Sequence, residues 1–353
     1  MEDFDKSRGM VFPRNILMGH DILDQVVELC NDFKFPDTGI IVTGNKTYDF
    51  AGKNVFDLMT DAKYNITVHK TGASTCANAD KIVDEARETG SKFIIAVGGG
   101  SKIDLAKVAS SKLKIPFISI PTSAAHDGIA SGRASMKSDT GPVSVDAVVP
   151  TAIVADTHVI SKSPYRLLAS GCADVISNLT AIMDWEFARR LKGEEFSRSA
   201  EALSRYSSYT IIENAKLIRP NLEESVWIAM RPIIISGVTM SIAGSSRPTS
   251  GSEHMFSHAL DLLHPGTALH GEQCGVGAIM MMYLHGGDWM MIRNALMDIG
   301  APVNAKQLNL KPKQIIDALE KAHSIRTDRF TILGDNGLSR ETAEAVAKAT
   351  MVI

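Results

Sequence analysis

The stretch KFIIAVGGGSKIDLAK, residues 92–107, decides how this chain folds. Its opening, KFIIAV, is a short run of β-branched and aromatic residues closed by three glycines, the pattern of a buried strand. SKIDLAKVASSKL (101–113) then takes up helical spacing. Strand, glycine turn and helix make the first half of a βαβ unit, and the neighbouring segments repeat the alternation. GIIVTG (39–44) reads as a strand, KNVFDLMTDAK (53–63) as a helix and NITVHK (65–70) as a strand. ADKIVDEARETG (79–90) reads as a helix with a glycine stop, PFISIPT (116–122) as a strand, and VDAVVPTAIVAD (145–156) as two more short strand-like pieces. Such alternation predicts a parallel sheet with helices on both faces.

From about Ser161 the period changes. Residues 163–190, 196–218, 222–244, 311–325 and 339–353 all favour helix spacing over strand alternation. The expected organisation is therefore an α/β domain over 1–160 and an all-helical domain over 161–353, joined at SKSP (161–164). A chain of 353 residues with 44% hydrophobic content can bury a sizeable core. Its formal charge of −3 gives no reason to expect nucleic acid as a partner. Cys30, Cys76, Cys172 and Cys274 form no CxxC pair, which fits a reducing interior. The polar, acidic start MEDFDKSRGM is unlike a signal peptide, and no uninterrupted apolar run approaches a membrane span. The expectation is a cytoplasmic protein.

The turn Gly98-Gly99-Gly100 and the following Ser101 sit between strand and helix, where small residues let the backbone approach a ligand. Free amides at the helix start favour a pyrophosphate there. The next strand ends in PTSAAHDGIAS (121–131), a second small-residue loop on the side of the sheet where α/β proteins collect ligands. Thr122, Ser123 and Ser131 supply hydroxyls, and Asp127 supplies a carboxylate for a sugar or substrate hydroxyl or else a turn cap. The GxGxxG fingerprint is absent. In the helical half, SEHMFSHALD (252–261) places His254 and His258 on one helix face, with Asp261 one turn further on. Such a pair serves a divalent metal or an ordinary helix surface, and the spacing alone does not choose between them.

Taken together, GGGS, PTSxxxDGxxS, the ADVI stretch, HMFSH and HGEQCGVG resemble the superfamily of iron-dependent alcohol dehydrogenases, glycerol dehydrogenases and dehydroquinate synthases. The motifs run in the superfamily's order from about residue 40 to 275. Within it, SSRPTSGSEHMFSHALD, LHGEQCGVG and the late RTDRFTIL (326–333) look most like the archaeal-type sn-glycerol-1-phosphate dehydrogenases. The resemblance implies a dehydroquinate synthase-like fold, with a Rossmann-like α/β domain followed by an all-α domain. It also implies a metal held by Asp174, His254 and His270, with His258 as a proton-relay neighbour and Asp127 as a second relay candidate. Iron-type members carry one more histidine where this chain has Asn178, so three protein ligands and an open position point to Zn2+. A two-histidine-one-carboxylate iron site remains chemically reasonable.

The implied reaction is NAD(P)H-dependent reduction of dihydroxyacetone phosphate to sn-glycerol 1-phosphate, for archaeal membrane phospholipids. Zinc would polarise the ketone, and the cofactor pyrophosphate would lie on Gly98, Gly99 and Gly100. Relatives selective for NAD place an aspartate where this chain has Gly44; Asn45 and Lys46 beside it tolerate or attract a 2′-phosphate, so both NAD(H) and NADP(H) are expected. The phosphorylated substrate is the expected partner, in a chain able to form a homo-oligomer. Arg247, Arg133 and Lys137 are the cations on offer for its phosphate. The rival reading is a glycerol dehydrogenase acting on an uncharged polyol; a synthase or a non-catalytic nucleotide sensor fits the motifs less well. Of the other histidines, His20, His69, His158, His285 and His323 read as surface or structural, His264 as part of a turn, and His126 as facing either cleft or solvent.

Overall fold

The computed structural model describes residues 9–138 and 141–353. The strands are β1 (Asn15–Gly19), β2 (Thr38–Thr43), β3 (Asn65–Lys70), β4 (Ile94–Gly98), β5 (Phe117–Pro121), β6 (Arg133–Ser138), β7 (Gly141–Asp146) and β8 (Ala152–Asp156). Six of them form one sheet in the order β1-β8-β5-β4-β2-β3, parallel at every pairing, while β6 and β7 make a separate antiparallel hairpin. Alternate residues go to opposite faces. Ile40, Val42, Ile94, Ala96, Phe117 and Ile153 join the main core, whereas Ile41, Ile95, Val97, Ile118 and Val154 pack on the other side. Both faces are covered, which is why these strands read as unbroken apolar runs.

The strands depart from the sequence expectation at β1 and in the β6–β7 hairpin. β1 (NILMG) lies outside that expectation; it is a partly exposed strand at the edge of the sheet. The piece near Val145 is the end of the hairpin strand β7 and not a member of the parallel sheet.

The helices that build the site are α1 (Gly100–Leu113), α2 (Tyr165–Lys192), α3 (Glu223–Ala243), α4 (Ser252–Leu263) and α5 (His270–Leu284). After the last strand the described chain is helices, turns and loops. α2 is buried at nearly every position from Leu168 to Ile182, and α5 from Gly271 to Met282, so both run through the interior and are apolar all round. Their close crossing depends on glycine: a Cβ on Gly271 would lie 2.0 Å from the Ser170 carbonyl oxygen. Gly171 does the same between α2 and the loop after β5, where a Cβ would lie 2.0 Å from the Ala124 carbonyl oxygen. α3 is long and apolar enough by composition to cross a membrane, which the sequence reading did not expect. Most of it is buried here against the other helices, and Arg231 and Pro232 fall within it.

Candidate active site

The end of β5, the start of α1 and helices α2, α4 and α5 enclose a cleft of about 310 Å³. From the α/β half it is lined by Ser101, His126, Asp127 and Ser131, and from the helical half by Asp174, His254, His258 and His270. The loop carrying Asp127 is held from below by Lys107 of α1. This lysine is fully buried, pairs with Asp104 at 3.2 Å, and donates to the carbonyls of Arg133 (2.7 Å) and Gly128.

At the floor, the Nε2 atoms of His254 and His270 each lie 3.7 Å from Asp174 Oδ1. Cys274 Sγ joins the cluster 3.6 Å from His270 Nε2. The outward nitrogens are anchored elsewhere. His254 Nδ1 lies 2.8 Å from the fully buried Glu253, and His270 Nδ1 lies 3.1 Å from Ser257 Oγ. That arrangement leaves both Nε2 lone pairs free to face Asp174, as metal-ligating histidines are usually oriented. Asp174 Oδ2 accepts from the Asp127 amide at 3.2 Å, but Oδ1 is buried with no hydrogen-bond partner. A buried carboxylate oxygen without a donor is costly unless a cation satisfies it. Burial, reinforced by Asp127, pushes the Asp174 carboxyl up to about 7, and burial with three neighbouring histidines holds His270 well below the usual imidazole range. The donor set and the orphaned oxygen fit a divalent cation.

His258 stands apart from this set. Its ring centre is 6.4 Å from that of His254 and 5.8 Å from that of His270, and its Nδ1 is buried without a partner. Burial, then His254, Arg326 and Arg329, bring it down to about 4, so it is neutral at physiological pH. Asp127 faces the cleft and accepts from Ser236 Oγ at 2.8 Å, which in turn accepts from Asn178 at 2.8 Å. Position 178 therefore holds the Ser236–Asp127 pair. Burial raises the Asp127 carboxyl and Ser236 partly opposes the rise.

At the glycine turn, Gly99 precedes the first residue of α1, Gly100, and Ser123 Oγ lies 3.1 Å from where a Gly99 Cβ would stand. Thr122 donates its amide to Gly98 O at 3.1 Å; it and Ser123 are buried and line the turn from below. His126 faces the cleft: its ring covers Gly100, whose Cβ would fall 1.9 Å from Nε2, while Nδ1 accepts from the Gly128 amide at 2.9 Å. Ser131 is buried against Lys107 and Arg133 O. Lys46 is exposed, and the side chain closest to Gly44 is that of Lys102, whose Cε would lie 2.9 Å from a Gly44 Cβ. Of the cations considered for a phosphate, Arg247 is turned away onto Glu194 and Arg133 is held by Asp146 and Ser144. Arg133, Lys137 and Arg326 all line the cleft, and Arg326 pairs with Asp328 at 3.2 Å.

A family model described as iron-containing alcohol dehydrogenase matches residues 17–164. The chain is 52% identical over 349 residues to the glycerol-1-phosphate dehydrogenase (NAD(P)+) of Methanosarcina mazei, covering 99% of this chain and 98% of that protein. The chain belongs to the glycerol-1-phosphate dehydrogenase family. A second member of that family, from Methanothermobacter thermautotrophicus, is 48% identical over 346 residues, 98% of this chain and 99% of its own. Glycerol-1-phosphate dehydrogenase architecture extends to distant solved structures. Glycerol dehydrogenase from Schizosaccharomyces pombe superposes with a TM-score of 0.80 at 18% identity, covering 98% of this chain and 91% of its own. An iron-containing alcohol dehydrogenase from Thermotoga maritima gives 0.73 at 14% identity, covering 98% and 100%. These two speak for the fold alone.

For a glycerol-1-phosphate dehydrogenase family member, several site residues escaped the sequence reading. Cys274 is four residues after His270 on α5, a spacing that was visible in HGEQC. Glu253 is adjacent to His254 in sequence, yet its role needs the buried contact to Nδ1. Lys102 directly follows the GGGS turn, but its approach to Gly44 depends on the fold; Ser236 lies far from the motifs in sequence and carried no signal.

Proposed function

We propose that this chain is a cytoplasmic, NAD(P)H-dependent sn-glycerol-1-phosphate dehydrogenase that reduces dihydroxyacetone phosphate for the synthesis of archaeal-type membrane lipids. The observation that carries the proposal is the unpartnered Asp174 Oδ1, equidistant from two histidine Nε2 atoms at the floor of a cleft that reaches Ser101 in the first turn of α1. Family membership supports the substrate and cofactor, since the relatives that cover the whole chain are named for both.

Asp174, His254 and His270 would hold a zinc ion, with Glu253 and Ser257 orienting the two imidazoles. Zinc so bound supplies a Lewis acid for the substrate carbonyl. Cys274 is held protonated, its thiol pushed up to about 11 by burial, and completes the wall of the cluster. The proton for the product oxygen is assigned to Asp127. Its carboxyl, raised by burial, and its place on the cleft wall suit a general acid, whereas His258 at about 4 is better suited to hydrogen bonding than to proton delivery. Gly98, Gly99, Gly100 and Ser101 would receive the dinucleotide pyrophosphate at the start of α1, with Thr122, Ser123 and Ser131 shaping that turn and the loop behind it. Lys46 and Lys102 put positive charge near Gly44 for a 2′-phosphate, which supports use of both NADH and NADPH. The substrate phosphate would go to Lys137 and Arg326.

We place the nucleotide-binding part at 1–160 and the metal-binding part at 161–353; the sheet's last strand ends at Asp156 and the first long helix starts at Tyr165. The test is a panel of dihydroxyacetone phosphate, dihydroxyacetone and glycerol with NADH, NADPH and their oxidised forms. Strong preference for the phosphorylated ketone is expected; preference for glycerol and NAD would favour the polyol reading instead.

A further inference from the structure

A second cluster of metal-ligating side chains lies outside the cleft, at the other edge of the sheet. β1 and β8 are parallel neighbours in register, with Gly19 opposite Asp156. The turn after β1, carrying His20 and Asp21, therefore sits beside the short helix Thr157–Ser161 that carries His158. His20 Nε2 lies 3.2 Å from Asp21 Oδ2, and His158 Nδ1 lies 3.8 Å from Asp21 Oδ1. The two rings meet edge-on, 4.9 Å apart between centres. The other nitrogen of His20, Nδ1, lies 2.9 Å from Glu223, the first residue of α3.

The cluster is supported from behind. One buried carboxylate, Asp156, accepts from the amide of Ile22 at 2.8 Å and from the amide of Val159 at 3.0 Å, tying the two ligand-bearing segments together. Thr157 donates to Glu223 and orients it. Asp21 adopts a left-handed backbone, with φ 50°, which aspartate tolerates better than most residues. The arrangement repeats the pattern at Asp174, where one histidine has Nδ1 on a glutamate and Nε2 toward an aspartate. Ligand bonds of about 2.0–2.2 Å in a tetrahedral zinc site put donor atoms roughly 3.3–3.5 Å apart, and the distances at Asp21 fall on either side of that value. As a plain ion-pair network, exposed imidazoles and carboxylates would contribute little.

We propose that His20 Nε2, the Asp21 carboxylate and His158 Nδ1 form a second site for a divalent transition-metal ion, with Glu223 holding the Nδ1–H of His20. Bound there, the ion links the turn after β1 to the short helix Thr157–Ser161. The test compares the wild-type chain with the His20→Ala/His158→Ala variant, both dialysed against about 10 µM free zinc and assayed for zinc per chain by mass spectrometry. The wild type is expected to carry one zinc more than the variant, with equal reductase turnover. Only the difference is read, so the result is the same whether or not the buried cluster takes zinc. In Glu223→Gln the extra zinc should bind about 10- to 100-fold more weakly, the usual loss when a ligand's supporting partner goes. Equal zinc contents in wild type and double variant would overturn the proposal. The His20 side chain is mostly exposed and that of His158 partly so, and Asp21→Asn provides a second disabling variant that keeps the turn's shape.

Discussion

Replacing Glu253 by Gln isolates the electrostatic part of the proposed zinc site. Glu253 is fully buried, and its Oε1 accepts from His254 Nδ1 at 2.8 Å and from the Gly251 amide at 2.6 Å. Its Oε2 lies 2.8 Å from Thr180 Oγ1, and that hydroxyl is also 2.8 Å from the Ser177 carbonyl. A glutamine of the same shape can keep its oxygen on His254 and Gly251. Its NH2 group then donates one proton to Thr180, whose own proton goes to Ser177, so each existing partner is kept and only the second amide proton gains none. What disappears is one negative charge beside the imidazole, and with it part of the basicity of His254. Loss of such a supporting carboxylate typically weakens metal binding about 10- to 100-fold, roughly 1.4–2.7 kcal/mol. Zinc affinity measured by competition with a chromophoric chelator at neutral pH should fall by that factor, while the metal-free variant keeps its melting temperature within a few degrees. Unchanged zinc affinity would refute the assignment of His254 as a ligand oriented by Glu253.

Three further outcomes follow from the same geometry. His254→Ala should lose its zinc, whereas His258→Ala, which lies outside the Asp174 cluster, should retain most of it with lower turnover; zinc per chain in the two proteins purified alike decides which histidine is the ligand. Gly44→Asp should raise the KM for NADPH more than that for NADH, because the new carboxylate both repels a 2′-phosphate and pairs with Lys102; equal effects would place Gly44 away from the adenosine ribose. Ser236→Ala removes a donor that favours ionised Asp127, so the Asp127 carboxyl should rise further. Because reduction needs the protonated acid, the alkaline fall of kcat should then move to higher pH, and a limb that stays put or moves down would exclude Asp127 as the proton source.

Legibility in the sequence followed burial. The central strands β2, β4 and β5 were readable because both faces are covered and every residue is apolar, and α2, α3 and the last helices because their runs are long. The hairpin β6–β7 was not, since its pairing is local and lies outside the βα alternation; of the two edge strands, β3 continues that alternation and was read, whereas β1 precedes it and was not. At the site, motifs pointed to the histidines and Asp127, but they could not give orientation. Which nitrogen of His254 faces Asp174 is set by Glu253, and the role of position 178 is set by Ser236 on another helix. His20 and His158 looked unrelated at 138 residues' separation, and only the parallel register of β1 with β8 brings them together.

Zinc-dependent reduction at Asp174, His254 and His270 is tested most directly by a metal titration of the reaction itself. The protein is stripped with chelator and zinc is returned stepwise, while dihydroxyacetone phosphate is supplied with NADH and the product's configuration is read with enantiomer-specific enzymes. Turnover should be absent from the stripped protein, rise as the buried site fills, and yield sn-glycerol 1-phosphate. Full turnover without metal, or sn-glycerol 3-phosphate as the product, would contradict it.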